Sequence, residues 1–232
     1  MKLSIIVPFH NERNSIEPIL NKALSFIGQY DFELICVNDA SRDDTDEIFS
    51  KLLLSGKYPF VKYINIRPED HVGYGHAIIT GVWQASGEVL AWTHSDLQTD
   101  LVDVFKSFDK FLANDNHNFI MKGNRVKRSF KDWAFSFGMA CVASIVLRKV
   151  FFEINAQPKL FPRKFLEYLK NAPGDFSLDL YLLYQAKQYN FDIKTINVRF
   201  EKRLHGQSSW ANSFSSKWKT ITRTIKYIWF LS

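Results

Sequence analysis

Short apolar runs rich in β-branched residues alternate with stretches of helical periodicity through the first half of the chain. The runs are four to six residues long, which suits buried strands, and Gly, Asn or Asp often stands at their ends. The stretch 15–27, by contrast, repeats apolar residues every three or four positions, which predicts a helix. The pattern predicts strands at 3–7, 32–37, 61–66, 89–92 and 119–122, and helices at 15–27, about 45–53, 74–85 and 101–113.

This alternation is typical of βαβ units, and it predicts an α/β fold with a mainly parallel sheet and helices on both faces. Ligands bind such sheets beyond the carboxyl ends of the strands. Polar clusters stand at three of those ends. They are His10-Asn11-Glu12, Asn38-Asp39-Ala40-Ser41 and the stretch 94–100.

The second half of the chain is less regular. Residues 133–152 are strongly apolar, and 155–165 form a connection bounded by prolines. A helix is predicted at 178–189 and a strand at 193–200. The last stretch, 215–231, mixes Lys and Arg with Trp and Ile, which predicts a basic amphipathic helix suited to a membrane surface.

Composition narrows the class of protein. With 232 residues, 46% hydrophobic and 23% charged, the chain suits one globular domain with a small appendage. The net charge of +6 favours an anionic partner such as a nucleotide, a phospholipid headgroup or nucleic acid. The two cysteines stand in apolar runs, as expected of buried free thiols in a reducing compartment. Neither a signal peptide nor a spanning helix is predicted.

The segment after the fourth predicted strand carries the strongest chemical signal. His94, Asp96 and Gln98 alternate, so their side chains would share one side if the strand stayed extended. An imidazole, a carboxylate and an amide oxygen can together hold a divalent cation. The segment therefore predicts a metal site that handles phosphate.

Three motifs resemble the inverting glycosyltransferase family 2, which has the GT-A fold. They are Ile5-Ile6-Val7-Pro8-Phe9-His10-Asn11-Glu12, then Cys36 to Thr45 (CVNDASRDDT), then Asp96-Leu97-Gln98. The subgroup they resemble most contains the dolichyl- and polyprenyl-phosphate sugar synthases. The resemblance covers about 1–210 and implies a Rossmann-like GT-A domain with a nucleotide-binding half (about 1–125) and an acceptor half (about 126–210). The basic helix, 211–232, would be a C-terminal extension on the acceptor side.

The resemblance also implies roles for individual residues. Pro8, Asn11 and Glu12 would border the base and ribose of the nucleotide, and Asp39 would contact the base. Gly73 and His76, with Gly75 and Ala77, match the turn and helix start beside the nucleotide. Asp96 matches the final acidic residue of the metal-binding DxD motif, and Gln98 a third metal ligand.

His94 departs from the family pattern, because it stands where the first acidic residue of DxD is usual. Imidazole binds Mn²⁺ better than Mg²⁺, which favours Mn²⁺ as the cofactor and leaves Mg²⁺ possible. Two other interpretations stay open. The metal could be held mainly by Asp96 and the donor's pyrophosphate, or His94 could merely line the pocket.

A nucleoside diphosphate leaves only when its growing negative charge is neutralised. The family pattern makes Arg125 and Arg203 candidates for contacting phosphate of the donor or the acceptor. Asp179 stands where the subgroup has an acidic residue, and a hydroxyl acceptor would need it as a general base. A lipid phosphate acceptor needs no base, and Asp179 would then cap or pair with a basic residue.

The resulting hypothesis is transfer of a sugar from a UDP- or GDP-sugar to a polyprenyl phosphate or a growing glycan. The enzyme would be cytoplasmic and peripheral on the cytoplasmic face of a membrane. Three alternatives remain: a sugar nucleotidyltransferase, an inactive family member and a nucleic-acid-binding module. The first lacks the Gly-rich loop expected after strand one, and for the last no nucleic-acid-binding motif is present. The sequence does not indicate an oligomeric state.

Overall fold

The computed structural model describes residues 1–126, 130–201 and 214–231. The strands are β1 (Leu3–Phe9), β2 (Phe32–Asp39), β3 (Val61–Ile66), β4 (Val89–Trp92), β5 (Phe119–Val126), β6 (Lys159–Pro162) and β7 (Asp192–Arg199). The helices are α1 (Ile16–Leu24), α2 (Thr45–Leu54), α3 (Tyr74–Trp83), α4 (Val102–Leu112), α5 (Phe130–Val146), α6 (Leu178–Gln188) and α7 (Phe214–Leu231). Short 3₁₀ helices occupy Arg13–Ser15, Pro68–Asp70 and Arg163–Leu169.

One seven-stranded sheet, in the order β3-β2-β1-β4-β6-β5-β7, forms the centre of the molecule. All strand pairs are parallel except those that β6 makes with β4 and β5. The carboxyl ends of six strands therefore lie at one edge, and β6 begins at that same edge. This architecture is the GT-A fold, and the predicted fold class is confirmed.

Both faces of the sheet are covered, which explains why the strands are continuously apolar. Along β1, Leu3, Ile5 and Val7 face a cluster built with α1 and α4. The intervening Ile6 faces a second cluster built with α3 and α6. Alternate side chains of one strand thus enter two cores, as the pleat of a strand requires.

The prediction of a connection at 155–165 is wrong, because this segment contributes β6 to the middle of the sheet. Its register places Lys159 between Trp92 of β4 and Lys122 of β5. A four-residue strand that begins with Lys and ends with Pro has little strand signal, since Lys is rarely buried and Pro lacks a donor. The buried partners of Lys159, described below, make the exception possible.

Helices α5 and α7 add a third, smaller cluster beside the sheet. Ala143 of α5 and Leu147, which directly follows α5, share this cluster with Ile228 of α7. Each helix of the described residues is too short or too polar to cross a bilayer. Both cysteines are free; Cys36 is buried, as predicted, whereas Cys141 on α5 is only partly so.

Candidate active site

The carboxyl edge of the sheet brings the predicted polar clusters together. The connections after β1 and β2 are tied to each other by Asn11, whose backbone φ of +56° turns the chain. Its side-chain oxygen accepts from the N–H of Arg42 at 2.7 Å, and its own N–H donates to the Ser41 hydroxyl at 2.9 Å. The side-chain oxygen of Asn11 therefore holds the two loops together. Pro8 and Glu12, the other two residues assigned to this motif, are buried.

Asp39 ends β2 at this edge and is only 4% exposed. Its carboxylate lies 2.8 Å from Nδ1 of His71, which follows β3, and its carbonyl oxygen lies 2.6 Å from Nδ1 of His10, which follows β1. The two imidazole rings stack with centroids 5.5 Å apart. Three neighbouring strands therefore each supply one polar group to the same point.

The start of α3 packs tightly against the turn at 173–175. Gly73 has a φ of +139°, which favours glycine, and a side chain at Gly75 would collide with the carbonyl oxygens of Pro173 and Asp175. The N–H of His76 donates to Gly174 at 3.0 Å, so this helix terminus binds protein at that position. Nδ1 of His76 is buried and has no hydrogen-bond partner among the described residues. It lies beside a cavity of about 660 Å³ lined by β3, the segment after it and α3.

The extended geometry on which the His94, Asp96 and Gln98 alternation depended is not observed. β4 ends at Trp92, and Leu97 adopts a φ of +59°, so the chain turns here. The turn is held because Asp96 Oδ1 accepts from the N–H of Gln98 at 3.1 Å. The amide nitrogen of Gln98 donates to the carbonyl of Glu201 at 3.0 Å, which leaves the amide oxygen as its ligand atom.

His94 lies among charged groups rather than on an isolated loop. Burial lowers the pKa of His94, and the cations Lys159 and Arg125 act in the same direction. The carboxylates of Asp96 and Asp179 oppose this shift. Neutral imidazole is the form that binds a metal, so the environment is compatible with the predicted ligand role.

Asp179 is the centre of a buried polar network behind that loop. It stands in the first turn of α6 and is 2% exposed. Its Oδ1 accepts from Nε1 of Trp92 at 3.2 Å and from Nε2 of Gln157 at 3.1 Å, and it lies 3.2 Å from Nζ of Lys159. The same Gln157 nitrogen lies 3.1 Å from the hydroxyl of Tyr74, while the side-chain oxygen of Gln157 is buried and finds no partner in the part of the chain that the structure describes.

Tyr74 links this network to the loop of His94. Its ring stacks on Phe176 at 4.8 Å and tilts against His94 at 5.4 Å. Burial raises the pKa of Tyr74 well above its usual value, and the carboxylates of Asp179 and Asp96 raise it further. The tyrosine hydroxyl therefore stays protonated and acts as a hydrogen-bonding group.

Two lysines lie side by side on the sheet. Lys159 is 0% exposed and donates to the carbonyls of Ile154 and Ala156, each at 2.8 Å, in addition to its pair with Asp179. Lys122 donates to the carbonyl of Glu153 at 3.1 Å. Burial, with a contribution from Lys159, lowers the pKa of Lys122 to about 7.

Arg125 lies near the end of β5, as predicted, but its charge is already paired. Its Nε donates to the buried Glu153 at 2.8 Å, and its guanidinium lies 5.3 Å from the ring centroid of Phe200. Arg203, the other predicted phosphate contact, lies outside the described residues.

The structure thus brings Asp96, His94, Asp179 and Arg125 into one neighbourhood at the end of β4 and β5. Asp39, Asn11 and His76 lie further along the same edge, at β1 to β3. Sequence reasoning missed several polar groups of the site. His10 and His71 could be recognised only as polar residues that follow strands. Lys159 stands beside apolar residues in the sequence, and nothing there indicates a buried charge. The missed residues are His10, His71, Tyr74, Trp92, Lys122, Glu153, Gln157 and Lys159.

Comparison with known proteins places this site in a family. The family model of glycosyl transferase family 2 matches residues 4–178. The dolichol-phosphate mannosyltransferase of Pyrococcus furiosus is 26% identical over 99% of this chain and 63% of its own length. An undecaprenyl-phosphate 4-deoxy-4-formamido-L-arabinose transferase of Pseudomonas syringae is 29% identical over 56% of this chain and 39% of its own length. This chain therefore matches less than two thirds of each relative.

Solved structures agree on the fold. Glucosyl-3-phosphoglycerate synthase of Mycobacterium tuberculosis, in complex with Mn²⁺, UDP-glucose and phosphoglyceric acid, has a TM-score of 0.74 at 16% identity over 100% of this chain and 80% of its own. The mannosyltransferase PcManGT of Pyrobaculum calidifontis, in complex with GDP-mannose and Mn²⁺, has a TM-score of 0.64 at 18% identity over 99% of this chain and 68% of its own. With three quarters of the chain inside the family model, the protein belongs to glycosyl transferase family 2.

Proposed function

We propose that the protein transfers a sugar from a UDP- or GDP-sugar to a polyprenyl phosphate, or to a glycan assembled at a membrane, with inversion at the sugar. The observation that carries this proposal is the placement of Asp96, His94, Asp179 and Arg125 at the carboxyl edge of a GT-A sheet. Relatives named for dolichol-phosphate and undecaprenyl-phosphate sugar transfer support the acceptor class.

The nucleotide would lie along the edge formed by β1 to β4. Asp39 would offer its carboxylate to the base, and Pro8 in β1 with Asn11 and Glu12 in the loop after it would border the base and ribose. His76 borders the neighbouring cavity of about 660 Å³, a volume that suits a small-molecule ligand, and Gly73 would lie beside the nucleotide at the start of α3. UDP and GDP both occur in structures of similar fold, so the base is left open.

Asp96, His94 and the amide oxygen of Gln98 would hold the divalent cation. Two oxygens and a neutral imidazole form a borderline ligand set, which fits Mn²⁺ better than Mg²⁺. When bound, the cation would neutralise charge on the departing diphosphate. In the protein itself, the hydrogen bond from Gln98 to Glu201 orients the amide, and the turn at Leu97 presents Asp96 to the edge.

The sequence left two roles open for Asp179, a general base or a partner of a basic residue. Its contacts favour the second role. The carboxylate is 2% exposed, and its Oδ1 accepts from Trp92 and Gln157 and is paired with Lys159, so it is held within the protein by these partners. Asp179 would then position Gln157 and Tyr74, while Arg125 with Arg203 contacts phosphate. An acceptor phosphate that is already ionised needs no general base, which agrees with the proposed acceptor.

Attachment to a membrane surface is the remaining part of the proposal. Helix α7 exposes Trp229 (63%) and Phe230 (80%) next to one another. Arg223 and Lys226 on the same helix are also exposed. Aromatic and basic side chains on one helix suit the interface of an anionic bilayer. The cytoplasmic face is proposed because its leaflet carries anionic lipids, which attract basic side chains.

A nucleotide-release screen over UDP- and GDP-sugars tests this function. Each donor is incubated with the protein and Mn²⁺, with and without a polyprenyl phosphate. We expect one donor class to release its nucleotide and the lipid to accelerate release. Asp96→Ala should lower turnover at least about 100-fold, as the loss of transition-state charge stabilisation does in other enzymes.

The matched control is Asp100→Asn, which removes an exposed carboxylate four residues further on. Among the described residues, Asp100 pairs with Lys22 and accepts from the N–H of Val102, a bond that asparagine can keep. Equal turnover of wild type, Asp96→Ala and Asp100→Asn would rule out the metal role of Asp96. A wild type without turnover on any donor would contradict the proposed activity.

A further inference from the structure

The group of His10, Asp39 and His71 is a second candidate metal centre, separate from the loop of Asp96. One ligand atom of each residue lies within 4.8 Å of the other two. Within the described part of the chain, no other three His, Cys, Asp or Glu residues meet so closely. The three residues follow or end β1, β2 and β3, whereas His94 and Asp96 follow β4.

The chemistry of the three ligands selects a class of ion. Two imidazoles and one carboxylate are a borderline set, which prefers Zn²⁺, Co²⁺ or Ni²⁺ to the oxygen-seeking Mg²⁺ and Ca²⁺. Zinc sites that keep open positions use three such protein ligands and leave further positions to water or substrate. Ligand atoms on one tetrahedral ion with bonds of about 2.1 Å lie about 3.4 Å apart, so side chains whose ligand atoms lie within 4.8 Å of one another would have to rotate to share one ion.

The surroundings hold the ligands in a suitable orientation. Nδ1 of His10 lies 2.6 Å from the carbonyl oxygen of Asp39, and a donated hydrogen bond there leaves Nε2 free to bind metal. Nδ1 of His71 and Oδ1 of Asp39 are hydrogen-bonded at 2.8 Å, so an ion that binds both atoms would displace the proton between them and move them apart to about 3.4 Å. Asp39 is buried, while both histidines are exposed and open to an ion from solution.

We propose that His10, Asp39 and His71 bind one divalent ion of the Zn²⁺ and Co²⁺ class, with open coordination positions facing solvent at the edge of β1, β2 and β3. This site shares Asp39 with the proposed contact to the nucleotide base. Binding of the ion can be measured without a sugar donor or turnover, so failure of this test and failure of the proposed function are distinguishable.

Titration of the metal-free, full-length protein with Co²⁺ tests the proposal, because cobalt bound by nitrogen and oxygen has visible absorption bands. Isothermal titration with Zn²⁺ gives the affinity. We expect His71→Ala and His10→Ala each to weaken binding at least about tenfold, a loss that even ligand-supporting residues can produce. Asp96→Ala, which alters the other centre, should keep the cobalt bands and this binding event.

His117→Asn is the matched control, since His117 stacks on Phe111 away from the cluster. It should bind Zn²⁺ as the wild type does. Thermal unfolding without metal checks that each variant is folded, and Asp39→Asn replaces any histidine variant that is not. Zn²⁺ affinity unchanged by His10→Ala and His71→Ala, or cobalt bands abolished by Asp96→Ala, would overturn the proposal.

Discussion

At the scale of single residues, the buried pair of Asp179 and Lys159 dominates the energetics of the site. Each partner is almost fully buried, and removing one leaves the other charge without compensation in a low-dielectric interior. Lys159→Met should therefore lower the free energy of unfolding by about 3 to 5 kcal/mol, measured by urea denaturation.

Two variants check that interpretation. Lys51→Met removes a lysine from an exposed pair with Glu47 and should change stability little. The double variant Lys159→Met, Asp179→Leu should be less destabilised than the sum of its single changes, because no unpaired charge remains. A Lys159→Met protein as stable as Lys51→Met would refute the energetic importance of the pair.

Lys122 makes stability depend on pH. Its pKa in the folded protein is lowered from 10.5 to about 7, so between those values the unfolded chain holds one more proton than the native protein. Stability from this residue therefore increases as pH rises, by about 2 kcal/mol between about pH 7 and pH 9. Lys122→Met should lack this increase in urea denaturation curves measured across that range. An identical pH profile for the two proteins would contradict the lowered pKa.

The sequence predicted many of the polar residues at the carboxyl edge of the sheet, but not which of them contact one another. Asp39 and Asp96 were recognisable because they lie in motifs at the ends of predicted strands, and Asp179 because it stands at the start of a predicted helix. Lys159 was not, because its partner Asp179 stands twenty positions away and only the fold brings them together. The same is true of His10 and His71, whose proximity depends on β1, β2 and β3 being neighbours.

At the scale of elements, a glycine in β5 allows the backbone before β6 to pass close to β5. A side chain at Gly123 would collide with the carbonyl oxygen of Gln157, which is backbone and cannot move aside. Gly123→Ala should cost about 1 to 3 kcal/mol or more through overpacking, and it should displace Gln157 from Asp179. Thermal unfolding measures the first effect and donor turnover the second.

Gly138→Ala is the control for this change. Gly138 lies inside α5 with nothing within 4 Å of an added Cβ, so alanine should stabilise the helix by about 0.5 to 1 kcal/mol. A Gly123→Ala protein that unfolds at the temperature of the wild type would show that this close approach tolerates a side chain.

The strands built from apolar runs could be predicted from the sequence, whereas β6 could not. The strands β3 and β4 begin and end where the apolar runs predicted. β2 and β5 extend further, because polar residues at their ends continue the ladder toward the site, and β1 is longer by Pro8 and Phe9. β6 was not predicted because Lys159 and Pro162 leave only two apolar residues between them, whereas all four residues of β4 are apolar.

At the scale of the whole molecule, the surface that includes α7 should bind anionic bilayers. Sedimentation with vesicles of phosphatidylcholine and phosphatidylglycerol in equal parts should show binding that weakens as salt is raised. The double variant Trp229→Ser, Phe230→Ser should lower the partition coefficient at least about tenfold, because two apolar side chains no longer enter the interface.

Leu54→Ser is the matched control, because this leucine is an apolar side chain that is 87% exposed on another helix, α2. Helix α2 contacts β3, the edge strand at the start of the sheet order, whereas α7 contacts α5. This variant should leave vesicle binding unchanged. Equal loss of binding in both variants, or wild-type protein that stays in the supernatant, would contradict membrane attachment through α7.

The most direct measurement follows the sugar itself. The protein is incubated with a radiolabelled UDP- or GDP-sugar, Mn²⁺ and a polyprenyl phosphate, and the lipid is then extracted and counted beside the released nucleotide. The account predicts that label moves to the lipid in step with nucleotide release and that Asp96→Ala abolishes both. Nucleotide release without label in any acceptor, or donor binding without turnover, would contradict it.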